Sequence, residues 1–259
     1  MILYKYRDYT REGKKRVLEI INKQELFFSS INYFNDPFDG KVFLHFNGKL
    51  NEIKAAQIRT QYTMNLHKEE KFEGVPFENI KKLVDEKFSD DFIADEREQK
   101  AIYERIQNLH NDKGVLSLSS KNNNILMWSH YTFNHQGVCF GFDSSKDFFV
   151  EAKRIRYQSH YDNIWGWLHT DEEIVERILL AKSVDWEYED EYRIISSSPG
   201  VQKFSNNTLK EVIFGSQMTD DDRKEIINEC TKAGLKPDFK QAVLDLERYK
   251  IHVIDFLDY

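Results

Sequence analysis

The chain has two cysteines, Cys139 and Cys230, in 259 residues. Two thiols make neither a disulfide framework nor a metal knuckle, so a reducing cytoplasm is the expected setting. Proline is also scarce, with four in the chain, and no Pro-rich linker, internal repeat or low-complexity tract marks a place to divide it. The reading is therefore one domain over 1–259. Apolar runs such as Ile178 to Ala181 are short, whereas a bilayer span needs about 20 apolar residues. No membrane segment is expected. The opening MILYKYRDYT is charged almost at once, so no signal peptide is expected either. There is no Walker A loop, no Gly-x-Gly-x-x-Gly and no Gly-x-Ser-x-Gly elbow, which removes the familiar phosphate cradles and the usual serine nucleophile. Cys139 sits inside an apolar run and is expected to be inert. A net charge of −7 argues against a duplex-coating protein, and the cluster Lys14, Lys15 and Arg16 reads as a solvated helix face.

What is present suits a soluble protein with an aromatic-rich core: 40% hydrophobic, 14% aromatic and 31% charged residues. Residues 2–6 read as a strand, followed by a helix with Thr10 as N-cap and Val17, Ile20 and Ile21 at helical spacing. LFFSS reads as a strand entering the turn-rich FNDPFDG. From about 51 to 111 polar residues dominate and apolar ones fall at helical spacing (Ile80, Leu83, Val84, Phe88; Ile102, Ile106, Leu109), which predicts an inserted subdomain of two or three helices.

Beyond Gly114, VLSLS, GVCFGFD, FVEAKRIRY, WEYEDEYRII, LKEVIFG and YKIHVIDF read as strands. Helices are expected from Asp171, from a Thr219 cap to a Gly234 stop, and briefly near Gln241. Strands mixed with helices without regular βαβ alternation predict an α+β fold with a mixed, mostly antiparallel central sheet.

Three segments carry candidate chemistry. If WEYEDEYRII is extended, Glu187, Glu189, Glu191 and Arg193 share one face of a polar cleft. Three acids on one face repel each other, a cost often seen at a site; a charged edge strand is the other reading. In FNDPFDG, Phe34 and Phe38 are expected to anchor the turn in the core and hold Asn35, Asp36 and Asp39 toward a ligand. Ser117 and Ser119 share a strand face opposite Leu116 and Leu118. Beside them Trp128, His130 and Tyr131 suit a planar ligand with polar substituents, or simple core packing. His130 and His135 lack the spacing and the partners of a metal site, and no metal is expected.

YKY, FNDPFD, LSLS, MWSHYTFNHQGVCFGFD and WEYEDEYRI together resemble an uncharacterised bacterial family, domain of unknown function 2971, over most of the chain outside the helical insert. More distantly, the order of motifs resembles that of ADP-ribosyltransferases. That resemblance implies an NAD contact on the first strand (Tyr4, Lys5, Tyr6), a Ser-x-Ser strand at the nicotinamide pocket (Ser117, Ser119) and a catalytic Glu-x-Glu (Glu189, Glu191). LYKY lacks the usual His, Arg7 lies one step past the expected position, and FNDPFD is not part of the transferase pattern. NAD would be the substrate, with Glu191 stabilising the ribosyl cation, Glu189 orienting the acceptor, Lys5 or Arg193 holding pyrophosphate, and Trp128, Tyr131 or Tyr4 stacking on nicotinamide, with His130 beside them. A protein or nucleic acid would accept the transferred group, and a bacterial toxin or phage-defence role is implied. Two other readings stand beside this one. One is a Mg²⁺-dependent nucleic-acid-processing or nucleotide-sensing module using Asp36, Asp39, Glu189 and Glu191 with Lys182. The other is a non-enzymatic interaction domain that docks through 51–111.

Overall fold

The computed structural model describes residues 1–46, 52–87, 95–162, 164–166 and 169–256. Phe88 and Asn51 of the helical region lie outside them. In chain order the strands are β1 (Ile2–Arg7), β2 (Glu25–Ser30), β3 (Leu44–His45), β4 (Gly114–Ser119), β5 (Val138–Asp143), β6 (Lys153–Arg154) and β7 (Arg156–Gln158). They continue with β8 (Ile164–Trp165), β9 (Ala181–Ser183), β10 (Glu191–Ser196), β11 (Gly200–Lys203), β12 (Leu209–Phe214), β13 (Asp238–Leu244) and β14 (Ile251–Asp255). The described α-helices are α1 (Arg11–Lys23), α2 (Glu52–His67), α3 (Phe77–Lys87), α4 (Glu96–Asn111), α5 (Ile125–Tyr131), α6 (Asp171–Leu179) and α7 (Asp220–Lys232). The fold is α+β with a mostly antiparallel sheet, as the mixed pattern predicts; β12 and β13 form a parallel pair within it. No helix among the described residues is long and apolar enough to cross a membrane.

The chain divides into two compact units, the first made of 1–33, 113–157 and 182–259, the second of 34–112 and 158–181. In the second unit, α2, α3 and α4 fill the predicted helical region, and Ile80, Val84, Ile102 and Ile106 are buried while Leu83 is exposed. The unit also takes in the FNDPFDG turn and α6, whose N-terminus carries a full capping box between Thr170 and Glu173.

The first unit holds the large sheet, in the order β11-β2-β4-β1-β5-β12-β13-β14, with β10 joined to β4. β10 pairs with β4 along its whole length, Glu191 opposite Ser119 through Ser196 opposite Gly114. The other edge of β4 is shared. β2 takes Val115 and Gly114, and β1 takes Ser119 alone. Between them Leu116, Ser117 and Leu118 have no ladder partner on that edge, and Lys5 Nζ donates to the Ser117 carbonyl at 2.6 Å.

Alternation sorts the side chains into two layers. One face (Leu3, Leu116, Leu118, Phe140, Phe142, Val212, Phe214) packs with Val17, Ile20 and Ile21 of α1 and with Ile226 and Cys230 of α7. The other (Tyr4, Tyr6, Cys139, Ile213, Ala242) packs with Met127 and Trp128 of α5.

Three sequence expectations give way. The segment near Gln241 is strand β13, because ladders to β12 and β14 claim its backbone from both sides. FVEAKRIRY is broken into a 3₁₀ turn (Asp147–Glu151) and the short strands β6 and β7. There Asp147 adopts a left-handed conformation and its carboxylate accepts from Ser205 N–H and hydroxyl, each at 2.8 Å. WEYEDEYRII is also not one strand: Val184–Glu189 form a 3₁₀ turn, Asp190 is left-handed, and β10 begins only at Glu191.

Candidate functional site

The break in the acidic motif has a local cause. β4 ends at Ser119, so residues before Glu191 have no strand to pair with. They coil instead, with the Ser183 hydroxyl accepting from Asp185 N–H at 3.3 Å. Asp190 takes the left-handed corner, an αL position that Asp tolerates better than most residues. Its carboxylate accepts from the Ser120 hydroxyl and from Arg154, at 2.7 Å for Nη2. Burial would raise the Asp190 pKa, but these two partners outweigh it and hold it low. The loop after β4 fastens the turn from the other side. The Ser119 hydroxyl donates to the Glu189 carbonyl at 2.5 Å, and Asn124 Nδ2 donates to the Tyr188 carbonyl at 3.0 Å while its Oδ1 caps α5.

The coil changes the geometry of the acids. Glu187 points to solvent and takes no part. Glu189 and Glu191 are 4% and 3% exposed and converge on one cation, Lys182 of β9. Its Nζ donates to Glu189 Oε2 at 2.6 Å and to Glu191 Oε2 at 3.0 Å, and lies 4.9 Å from the centre of the Trp186 ring. Glu189 Oε1 accepts from the Tyr131 hydroxyl at 2.6 Å. Glu191 is gripped by Arg193 two residues along its own strand, Nε to Oε1 at 2.7 Å and Nη2 to Oε2 at 3.1 Å. Its main-chain N–H donates to the Tyr157 hydroxyl at 2.7 Å.

Burial by itself would raise the Glu191 pKa, but Arg193 and Lys182 outweigh it and hold the group at about 2. For Lys182 burial lowers the pKa, yet Glu191 and Glu189 more than reverse this and raise it. The Lys5 amine goes the other way. Burial, reinforced by Arg7, pushes it well below the usual lysine range despite the nearby glutamates.

The predicted residues thus fall into groups. Tyr131, Lys182, Glu189, Glu191 and Arg193 meet directly, and Ser119 and Tyr4 share a rung with Glu191. Ser117 lies opposite Arg193 on the same strand pair. Tyr4 and Tyr6 are engaged in the fold: Tyr4 donates to Glu211 Oε2 at 3.1 Å and Tyr6 to the Lys121 carbonyl at 2.8 Å. Trp128 is fully buried, edge-on to Tyr6, with its indole N–H donating to the Asn122 carbonyl at 2.8 Å; it supports the face and offers no surface for stacking. His130 is exposed, its Nδ1 3.2 Å from the Tyr188 hydroxyl.

Asn35, Asp36 and Asp39 belong to the second unit. There the expected anchoring fails at Phe38, which is 65% exposed, while Phe34 is half-buried; Asp36 is buried, its Oδ1 capping the turn at Phe38 N–H, 2.8 Å away. Sequence reasoning passed over Tyr157, Trp186 and Tyr188. Trp186 and Tyr188 lie within the acidic motif itself, whereas nothing local marks Tyr157 as the acceptor for a strand more than thirty residues later.

Each carboxylate oxygen of Glu189 and Glu191 already accepts from a cation or a hydroxyl. Lys182 and Arg193 match the two negative charges, which disfavours a hard divalent cation, since that needs uncompensated oxygen ligands. Among the described residues no group of three or more His, Cys, Asp or Glu is placed to hold a metal.

A family described as "Protein of unknown function (DUF2971)" matches residues 127–194. The matched stretch contains Tyr131, Lys182, Glu189, Glu191 and Arg193, while the YKY, FNDPFD and LSLS motifs lie outside it. No curated protein and no solved structure matches the chain.

Proposed function

We propose that the chain binds NAD and transfers its ribosyl group in the manner of an ADP-ribosyltransferase or an NAD glycohydrolase, around the Glu189–Glu191 pair. One observation carries this reading. Glu189 and Glu191 lie side by side, held by Tyr131 of α5, Lys182 of β9 and Arg193 of β10, so segments far apart in sequence converge on one acidic centre.

The chemistry follows from the acids. The C1′–N bond breaks with its electron pair going to the nicotinamide nitrogen, so nicotinamide leaves neutral and positive charge develops on the ribose. A carboxylate beside C1′ stabilises that state, and water or an acceptor side chain then attacks and gives up a proton. Glu189 suits the facing role better than Glu191. Its two partners, Tyr131 and Lys182, reach it from other elements, whereas Glu191 is clamped within its own strand by Arg193. Glu191 then positions Lys182. The partly exposed group of His130, Tyr188 and Trp186 supports ring stacking at this edge. A bacterial toxin or phage-defence setting, with a protein or nucleic-acid acceptor, belongs to the same proposal.

The test is nicotinamide release and label transfer from NAD, with protein and nucleic-acid acceptors present. Wild type should release nicotinamide, and Glu189→Gln should lower the rate at least about 100-fold with the fold intact, the scale of losing one charge-stabilising group. No release by the wild-type chain under any of these conditions overturns the reading.

A further inference from the structure

On β1, Tyr4 and Tyr6 face the α5 side of the sheet, so Lys5 and Arg7 follow Leu3 toward the α1 side. Neither is bonded to a carboxylate among the described residues. Lys5 Nζ donates to the Ser117 carbonyl at 2.6 Å. Arg7 has less: it is half-buried, and its Nε is cut off from water with no hydrogen-bond partner. The acid next to it in sequence, Asp8, is committed elsewhere. Its carboxylate accepts from the Thr10 hydroxyl at 2.6 Å and lies against Gly13, where a Cβ would run into it. Like charges crowd in instead. Burial and the nearby Arg16 of α1 lower the Arg7 pKa to about 10, with Asp8 a weaker opposing influence, and Arg7 in turn presses on Lys5. Arg16 and its neighbour Lys15 are exposed, whereas Lys14 is held by Glu225.

In a chain of net charge −7 this is a positive island, and Arg7 inside it has no hydrogen-bonded acid. A guanidinium taken out of water is costly until an anion completes it. We infer that Arg7, Arg16 and Lys5 form a site for a phosphate-type dianion, which enters from the exposed Arg16 side. The ligand class follows from the charges. Two guanidiniums and an amine that regains its proton beside an anion call for about two negative charges, which a phosphate group carries at neutral pH and a single carboxylate does not. A guanidinium also presents paired N–H donors that match phosphate oxygens. Inorganic phosphate and the phosphate of a nucleotide share this chemistry. The inference does not rest on the NAD reading, since it uses none of the Glu189–Glu191 cluster.

The experiment measures binding of inorganic phosphate and of AMP to wild type, Arg7→Met and Arg16→Gln, by equilibrium dialysis and by thermal unfolding. All are compared at neutral pH and equal ionic strength, with sodium chloride as the reference. Wild type should bind in a saturable way and melt at least about 3 °C higher when the ligand is tenfold above half-saturation. Arg16→Gln should weaken binding about 3-fold, the scale of one exposed ion pair. Arg7→Met should weaken it at least about 10-fold, the scale of hydrogen bonds to a charged group. In sodium chloride alone Arg7→Met should melt no lower than wild type, because it removes a cation that no bonded acid balances. A purely structural Arg7 would give the opposite sign.

No saturable binding of either ligand by wild type overturns the inference. So does binding that either variant retains in full, or an Arg7→Met chain that melts well below wild type in sodium chloride. Tighter binding of AMP than of phosphate assigns the group to a nucleotide, and equal or weaker binding assigns it to free phosphate; both uphold the site. Phosphate binding by a chain that releases no nicotinamide from NAD upholds the site and leaves the enzymatic reading to fall on its own test.

Discussion

Arg193 holds Glu191 from two positions along the same strand, with Nε 2.7 Å from Oε1 and both groups closed off from water. The pair is neutral only as a pair. Replacing Arg193 by Leu leaves a buried carboxylate with Lys182 as its remaining close cation, and loss of one partner from a buried pair costs about 3–5 kcal/mol. Urea unfolding of Arg193→Leu should show a loss in that range. A loss under about 1 kcal/mol would mean the pair is solvated in solution.

The same grip sets a pH dependence. The Glu191 pKa is lowered from 4.5 to about 2, so its stabilising contribution is complete above pH 4.5 and is lost as pH falls toward 2. The shift corresponds to a contribution on the order of 3 kcal/mol, at 1.36 kcal/mol per pKa unit. Between pH 5 and pH 2, the unfolding free energy of wild type should fall more steeply than that of Glu191→Gln. Parallel curves would remove Glu191 from the acid response.

His110 works in a different pH window. It is buried at the end of α4, neither ring nitrogen has a hydrogen-bond partner, and burial lowers its pKa below 6.5. The unfolded chain therefore takes up this proton first. Stability from His110 is present above about pH 6.5 and declines as pH falls from there toward the lower folded value. In His110→Phe that part of the stability profile should flatten, as followed by chemical unfolding from pH 8 to pH 5.

Gly137 and Gly215 are needed for close approach of the chain to itself. A Cβ on Gly137 would run into the Arg7 carbonyl oxygen, and one on Gly215 into that of His135. The Gly215 N–H also donates to the Gly137 carbonyl at 2.9 Å, so both clashes fall on the same clasp of loops. Gly137→Ala and Gly215→Ala should each cost at least about 1–3 kcal/mol, the range for overpacking a site that cannot give. Gly74, with nothing within 4 Å of its missing Cβ but a φ of +76°, should suffer only the milder backbone penalty of an alanine at positive φ. Melting temperatures of the three variants make the comparison.

Where signals are local, the sequence carried them. Thr219 caps α7 at Asp222 N–H, 3.2 Å away, and Gly234 takes the left-handed position that ends the helix, because both events need only a few neighbouring residues. VLSLS shows its two faces by alternation alone, and the burial of Leu116 and Leu118 follows from it. The same period misleads at WEYEDEYRII, since alternation presumes a partner strand along the whole segment and β4 stops at Ser119.

The sequence by itself determined the α+β mixture, the ends of the capped helices, and the presence of an acidic, aromatic motif around 186–193. The tertiary structure decided what that motif is. Only the packed chain brings Lys182 between Glu189 and Glu191, sets Tyr131 and Tyr157 against them, and turns Asp190 through a left-handed corner. The physical reason is the range of the forces involved. Caps and alternation are settled within a few residues, whereas the partner of a buried charge is whichever opposite charge the fold leaves beside it once water is gone.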